Sequence, residues 1–194
     1  MNPTEHRMLI SVHDKTGLEE FGKLTKHNWE IISTGDTAAA LKGFGIPYIL
    51  VEEVAGFPEM TDGHLEIPHP KIFGGILADR RKPKHMEECK KQGIKVIGLV
   101  VVNLYDFQGN PRIETIDIGG SSLIRAAAKN CDSVTVVVDP ADYNSVINEM
   151  IDRGVGRDWR VRLAYKAFHY AEAYDRVITD WFAKKIINDE RIFG

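Results

Sequence analysis

The chain has 194 residues, of which 27% are charged and 43% hydrophobic, and its formal net charge is -3 at pH 7. This length and composition favour one domain, or one domain with a helical extension, that needs no metal or disulfide cross-links to be stable. The negative charge argues against nucleic-acid binding, and the longest apolar run, VIGLVVV, is too short to cross a membrane.

The cysteines and the N-terminus indicate a cytoplasmic protein. Cys89 and Cys131 are too few and too far apart for a zinc site or a disulfide framework, and two unpaired thiols suit a reducing compartment. The first residues, MNPTEHRMLI, lack the apolar segment of a signal peptide.

Short apolar segments alternate with amphipathic segments along the chain. The predicted strands are MLISV (8–12), WEIIS (29–33), PYILVEE (47–53), KVIGLVVVNLY (95–105) and VTVVVD (134–139). The predicted helices are TGLEEFGKLTKHN (16–28), TAAALKGFG (37–45), PKHMEECKKQG (83–93), SSLIRAAAKN (121–130), DYNSVINEMIDRG (142–154) and a tail from 157 to about 185, formed by one helix or a broken pair. The stretch DGHLEIPHPKIFGGIL (62–77) fits neither period and is interpreted as a rigid loop.

This alternation predicts an α/β fold with an open, mostly parallel sheet flanked by helices and a C-terminal helical extension. We expect a single domain over 1–194, with its core at about 8–155 and the extension at about 156–194. Ligands of such sheets bind beyond the carboxyl ends of the strands, so the residues that follow each strand are the candidates for a site.

The turns after the first two strands suggest an anion site. Lys15 follows the first strand, either as a solvated lysine or as a cation that reaches an anion. The turn STGDT follows the second strand and resembles a phosphate cradle, with Ser33, Gly35 and Thr37 as its hydrogen-bonding and flexible members. Asp36 leaves an alternative open, since as an N-cap it would itself accept the free amide hydrogen bonds and would repel a phosphate.

The central strand and the next helix suggest groups for a heterocycle. Asn103 and Tyr105 end the strand and carry hydrogen-bonding groups, although a tyrosine there is often only a lid over the core. In IDIGGSSLIRAAAKN, the glycine pair allows a close approach of the backbone, and Lys129 shares a helical face with Arg125. Neighbouring alanines suggest that Lys129 is partly shielded, has a lowered pKa and transfers protons; the alternative is a basic stripe in water.

His64, Glu66 and His69 in the 62–77 stretch have no established spacing for a metal site, so no metal is expected.

The run IDIGGSSLIRAAAKN, supported by LISVHDKTGLEEFG, GFPEMTDG, HPKIFGGILA, VVVNLY and YKAFHYAEAYD, resembles the inosine monophosphate (IMP) cyclohydrolase domain. That domain is the N-terminal half of a bifunctional purine-biosynthesis enzyme whose other half is a formyltransferase. The resemblance covers nearly the whole chain and implies a methylglyoxal-synthase-like fold in a stand-alone form. It further implies a purine nucleotide substrate, no cofactor, a homodimer and a separate formyltransferase as a partner.

The reaction that the resemblance implies is dehydrative closure of the purine ring of a formamido-imidazole carboxamide ribotide. Matched by motif, the implied catalytic residues are Lys129 as proton donor and acceptor, Asp117 and Tyr105. The implied substrate-binding residues are His13, Lys15, Ser33, Gly35, Asp36, Thr37, His64, Glu66, Ile67, Asn103, Ile118, Gly119 and Arg125.

Several positions depart from the family pattern. The family has serine at His13, glycine at Asp36, arginine at His64 and lysine at Glu66, and a histidine at the position of Tyr170. The lysine-to-glutamate exchange changes the charge by two units beside an anionic ligand. Three hypotheses follow: an IMP cyclohydrolase, a diverged protein for another nucleotide or sugar-phosphate metabolite, and a purely structural or regulatory partner of a separate formyltransferase.

Overall fold

A computed structural model describes residues 6–58 and 68–187 and contains one five-stranded sheet. The strands are β1 (Arg7–Val12), β2 (Glu30–Ser33), β3 (Ile49–Leu50), β4 (Leu99–Asn103) and β5 (Thr135–Val137). Their order is β3-β2-β1-β4-β5, and all pairs are parallel. The predicted α/β class is therefore confirmed.

The α-helices surround this sheet, with short 3-10 turns at Leu18–Phe21, Ile113–Thr115 and Pro140–Asp142. They are α1 (Gly22–Thr25), α2 (Gly35–Gly43), α3 (Val51–Ala55), α4 (Pro70–Leu77), α5 (Pro83–Lys91), α6 (Gly119–Lys129), α7 (Tyr143–Asp152) and α8 (Arg157–Ile187). The tail is thus a single helix, whereas its division from the core near residue 155 stays a prediction. Within the described ranges, no helix combines the length and the apolar character of a membrane span.

Two predicted segments differ from the structure. The third strand is limited to Ile49–Leu50, because the chain turns into α3 at Val51. The interpretation of 62–77 as a loop is wrong from Pro70 onward, where α4 begins. A Cβ on Gly75 would lie 2.7 Å from the carbonyl oxygen of Lys95, so this glycine serves the close packing of a helix and not a loop.

The hydrophobic core has two parts, one on each face of the sheet. The first contains buried side chains of α4, α6 and α8, and the second contains those of α1, α2 and α7. Three alanines of α8 are buried in the first part: Ala164, Ala167 and Ala171. Helix α8 therefore packs directly on the α/β core.

The strand order also indicates where a ligand is expected to bind. From β1 the chain moves outward through β2 to β3, and it then returns to β4 and continues to β5 on the other side. Ligands of open parallel sheets bind at such a reversal, beyond the strand ends. Val12 lies opposite Asn103, so the segments that follow β1 and β4 leave the sheet side by side.

Candidate active site

Asn103 joins the two segments at the reversal of strand order. Its side-chain oxygen accepts hydrogen bonds from the backbone N–H of His13 (2.6 Å) and of Asp14 (2.7 Å). Its amide nitrogen donates to the carbonyl oxygen of Asp14 at 3.1 Å. The side chain is buried, so the predicted ligand group acts here as a clamp that fixes the turn after β1.

A cleft of about 630 Å³ opens beside this clamp. Its lining is largely apolar and includes His13, Asn103, Tyr105, Lys166, Tyr170 and Tyr174. The His13 ring meets the Tyr105 ring edge-on, with 5.3 Å between the ring centroids. Tyr105 is 51% exposed and lies at the open mouth of the cleft. It therefore does not form a lid over the core.

Lys15 belongs to the turn after β1, and its side chain is half-buried. Its ammonium group donates to the carbonyl oxygens of Val12 and His13. Burial lowers the pKa of Lys15 from its ordinary value, and the carboxylates of Asp36 and Asp14 act in the opposite direction. Lys15 is therefore neither a solvated lysine nor an unopposed cation, because Asp36 reduces its electrostatic effect on an anion.

The hydroxyl groups of Ser33 and Thr37 face the protein interior. Ser33 donates to the carbonyl oxygen of Ile10 at 2.9 Å, and Thr37 bonds to both backbone groups of Val12 at 3.0 Å. Both side chains are buried. Their predicted use as hydroxyl donors to a ligand is not what the structure shows, since they tie α2 and β2 to β1.

The start of α2 has a glycine with positive φ at the beginning of a helix, and its use as a phosphate cradle stays a prediction. Thr34 is the N-cap residue, so the alternative in which Asp36 caps the helix is wrong. Gly35 has a φ of +43°, which favours glycine, and the first-turn N–H groups have no acceptors within the helix. Asp36 is exposed in this first turn, where its carboxylate interacts favourably with the helix dipole.

Asp117 and the start of α6 lie against the segment after β4. One carboxylate oxygen of Asp117 accepts a hydrogen bond from Gly120 N–H at 2.6 Å. A Cβ on Gly120 would lie 2.8 Å from both Asp117 Oδ2 and Leu104 Cδ2, which shows how closely these groups approach. Gly119 is the first residue of α6, and Ile118 before it is 60% exposed.

Two predicted residues of α6 lie elsewhere. Arg125 forms an ion pair with Asp175 of α8 on the exposed surface, so it links two helices. Lys129 is exposed, and the expectation of a shielded lysine is wrong. It lies ten positions after Gly119, about 15 Å along the helix axis. The helical period puts Lys129 on the same face of α6 as Arg125, and both side chains are exposed.

Helix α8 supplies cleft residues that were not among the predicted site residues, such as Lys166, Tyr170 and Tyr174. Lys166 forms ion pairs with Asp139 (2.6 Å) and Asp142 (2.7 Å). Partial burial acts to lower the pKa of Lys166, but the two carboxylates together raise it. The four-residue spacing of the tyrosines, which places them on one helical face, is the signal that could have revealed them.

His64, Glu66 and Ile67 lie outside the described residues, so their predicted roles stay predictions. The parts of the chain that the structure describes contain no group of three metal-ligating side chains close enough to hold an ion.

Comparison with known proteins relates the chain to one enzyme family. The model of the MGS-like domain matches residues 17–132, and that of the AICARFT/IMPCHase bienzyme matches residues 127–193. The bifunctional purine biosynthesis protein PurH of Streptococcus suis is 48% identical over 95% of this chain, and that of Streptococcus pneumoniae is 47% identical over 93%. This chain spans only 38% and 37% of those two proteins.

A solved structure gives the same relationship. The crystal structure of ForH matches with a TM-score of 0.84 at 29% identity, over 92% of this chain and 99% of that one. The MGS-like match covers more than half of the residues, and the family resemblance predicted from the motifs is confirmed. The chain therefore belongs to the MGS-like domain family and is related to the IMP cyclohydrolase portion of the AICARFT/IMPCHase bienzymes.

Proposed function

We propose that this chain is an IMP cyclohydrolase of purine biosynthesis, which closes the ring of the formamido-imidazole carboxamide ribotide. The observation that carries the proposal is the convergence of three segments at the reversal of strand order: His13–Lys15, Asn103–Tyr105 and Asp117–Gly120. The similarity to proteins named for purine biosynthesis supports it.

In this reaction the carboxamide nitrogen attacks the formyl carbon and forms a C–N bond. One proton from the carboxamide nitrogen and one from the formamido nitrogen pass to the formyl oxygen, which leaves as water; the C–O bond breaks and a ring C=N bond to the former formamido nitrogen forms. The enzyme has to hold the two groups in contact, stabilise the developing oxyanion and move protons between nitrogen and oxygen.

Residues that follow the strand ends, with Tyr105 in the lining of the cleft, suit these tasks. We assign the Tyr105 hydroxyl as a hydrogen-bond donor to the oxyanion, because it is exposed at the cleft mouth. We assign the Asp117 carboxylate as the proton acceptor for the attacking nitrogen, because Gly120 N–H fixes its orientation. The first-turn N–H groups of α2, together with Lys15, would bind the ribotide phosphate.

Lys129 has the least geometric support of the catalytic assignments, given its exposed position at the far end of α6. If it is the proton donor and acceptor, Lys129→Ala abolishes turnover while the unfolding temperature stays near that of the wild type. Turnover at the wild-type rate would remove Lys129 from the mechanism and leave proton transfer to groups at the cleft.

The proposal is tested by incubating pure protein with the formylated ribotide and following IMP formation by absorbance. A linear, protein-dependent increase supports it. A flat trace from protein shown to be folded by circular dichroism refutes it.

A second candidate function is binding or conversion of another nucleotide or sugar-phosphate metabolite. It is favoured by Asp36, whose carboxylate lies in the first turn of α2 and interacts with Lys15. Two like charges about 4 Å apart repel by roughly 4 kcal/mol at an effective dielectric constant of 20, so Asp36 would weaken phosphate binding. Thermal shifts with IMP, xanthosine monophosphate and sugar phosphates distinguish the two functions.

Asp36→Gly sharpens this comparison. If the pocket binds a phosphate beside Asp36, the variant binds IMP more tightly than the wild type. Unchanged affinity in the variant would mean that Asp36 does not face the ligand.

The remaining assignments concern partners and location. We propose a homodimer, a separate formyltransferase that supplies the formylated ribotide, and a cytoplasmic location. Light scattering after gel filtration tests the dimer, with a mass near 22 kDa contradicting it. Co-purification with a formyltransferase tests the second partner.

A further inference from the structure

Helix α8 begins 25 positions beyond the end of the MGS-like match, yet it forms one wall of the cleft. Tyr170 and Tyr174 lie one turn apart on the face of α8 that packs against the core of α4 and α6. The helix is therefore more than an extension of the domain, because its side chains reach the ends of the catalytic segments.

Each tyrosine hydroxyl binds the backbone of a different site segment. Tyr170 accepts a hydrogen bond from Leu104 N–H at 3.0 Å, directly after the Asn103 clamp. Tyr174 accepts one from Asp117 N–H at 2.9 Å and donates to the carbonyl oxygen of Thr115 at 3.2 Å. The two segments that carry Tyr105 and Asp117 are thus attached to adjacent turns of one helix.

This helix is a rigid support. Ala164, Ala167 and Ala171 bury one of its faces, and the ion pair between Arg125 and Asp175 joins it to α6. Residues four apart in a helix are separated by about 6 Å along its axis, so the two hydroxyls fix the separation of the two segments. Burial raises the pKa of both tyrosine hydroxyls above the ordinary value.

We propose that Tyr170 and Tyr174 are positioning residues, which hold the segments of Tyr105 and Asp117 at the separation that the ligand requires. The identity of this ligand rests on the proposed function, whereas the hydrogen bonds of Tyr170 and Tyr174 do not depend on it. A displacement of about 1 Å at reacting groups costs on the order of 100-fold in rate, so two hydrogen bonds far from the chemistry can control it.

The test uses Tyr170→Phe, Tyr174→Phe and the double variant, which remove the hydroxyl and keep the ring. Tyr165→Phe is the matched control, since Tyr165 lies on the same helix with a ring that is 75% exposed. Hydrogen exchange is measured at the amides of Leu104 and Asp117, together with kcat, KM, IMP affinity and the urea midpoint of unfolding.

We expect exchange at Leu104 to become about 3- to 10-fold faster in Tyr170→Phe, and that at Asp117 to respond likewise in Tyr174→Phe. We expect kcat to fall about 10- to 100-fold in the double variant, with a smaller change in KM and with Tyr165→Phe unaffected. The inference is overturned if exchange at both amides is unchanged. It is also overturned if exchange rises while kcat, KM and IMP affinity equal those of the control.

The outcome for the proposed function is separate. A wild-type protein that neither forms nor binds IMP refutes the cyclohydrolase proposal. In that case, amide exchange still shows whether the two hydroxyls hold the segments. Unchanged exchange in the variants refutes the positioning role of Tyr170 and Tyr174.

Discussion

Gly120→Ala should damage both the stability and the activity of the protein. The added Cβ would lie 2.8 Å from Asp117 Oδ2, 2.8 Å from Leu104 Cδ2 and 2.9 Å from Asp117 Oδ1. Carbon atoms pack best at roughly 3.5–4.0 Å, so the Asp117 carboxylate and the Leu104 side chain have to move.

The cost can be estimated from three contributions. Overpacking in a well-packed region costs about 1–3 kcal/mol. Loss of the hydrogen bond from Gly120 N–H to Asp117 at the start of the helix costs about 1 kcal/mol more. The higher helix propensity of alanine offsets about 1 kcal/mol of this loss. The free energy of unfolding should therefore fall by about 1–3 kcal/mol.

For a chain of this size, a loss of about 2 kcal/mol lowers the melting temperature by about 4–8 °C. Gly43→Ala is the control. Among the described residues, apart from its own helix backbone and chain neighbours, no heavy atom lies within 4 Å of a Cβ added at Gly43, so we expect no loss of stability. Thermal unfolding and the initial rate of IMP formation are measured for both variants. Wild-type stability and rate in Gly120→Ala would refute the tight packing of Gly120 against the Asp117 and Leu104 side chains.

Two further predictions concern the fold. Hydrogen bonds from Arg81 lower the pKa of Asp79 from 3.8 to about 2, so the unfolded chain binds a proton before the folded one does. The stability that results from this pKa difference is present above about pH 4 and is lost as the pH falls through 2. In acid unfolding, the stability of Asp79→Asn should therefore decrease less steeply with falling pH than that of the wild type. An identical pH profile for the two proteins would contradict this prediction. Asn130 donates to the carbonyl oxygens of Ile76 (2.7 Å) and Ala78 (3.0 Å), and Asn130→Ala should lower the free energy of unfolding by about 1–3 kcal/mol in urea titrations. A change below 0.5 kcal/mol would show that these bonds contribute little.

The regular elements could be predicted where the pattern is long and unambiguous. All five residues of β4 are buried, as expected for a continuous apolar run in a central parallel strand. Helix α4 was missed because its glycine pair resembles a loop. Pro70 at the first helical position and His69 as the N-cap, whose ring accepts from Lys71 N–H, are nevertheless a recognisable helix start.

The partners of polar side chains could not be predicted in the same way. The hydroxyls of Ser33 and Thr37 bind backbone groups 23 and 25 residues away, and only the register of β1 with β2 brings these groups together. Lys129 illustrates the same limit, since periodicity specifies a face of α6 but not the position of the ligand along it. The contribution of α8 also depends on tertiary packing, because Tyr170 reaches Leu104 across 66 residues.

The role of this chain as a cyclohydrolase is decided by the initial rate of IMP formation, compared between wild type and Asp117→Asn. At saturating ribotide, the cyclohydrolase account predicts steady turnover by the wild type. It predicts a large decrease in kcat for Asp117→Asn, which keeps the shape of the side chain but loses the carboxylate. A folded wild-type protein without turnover, or equal rates for the two proteins, would contradict the account.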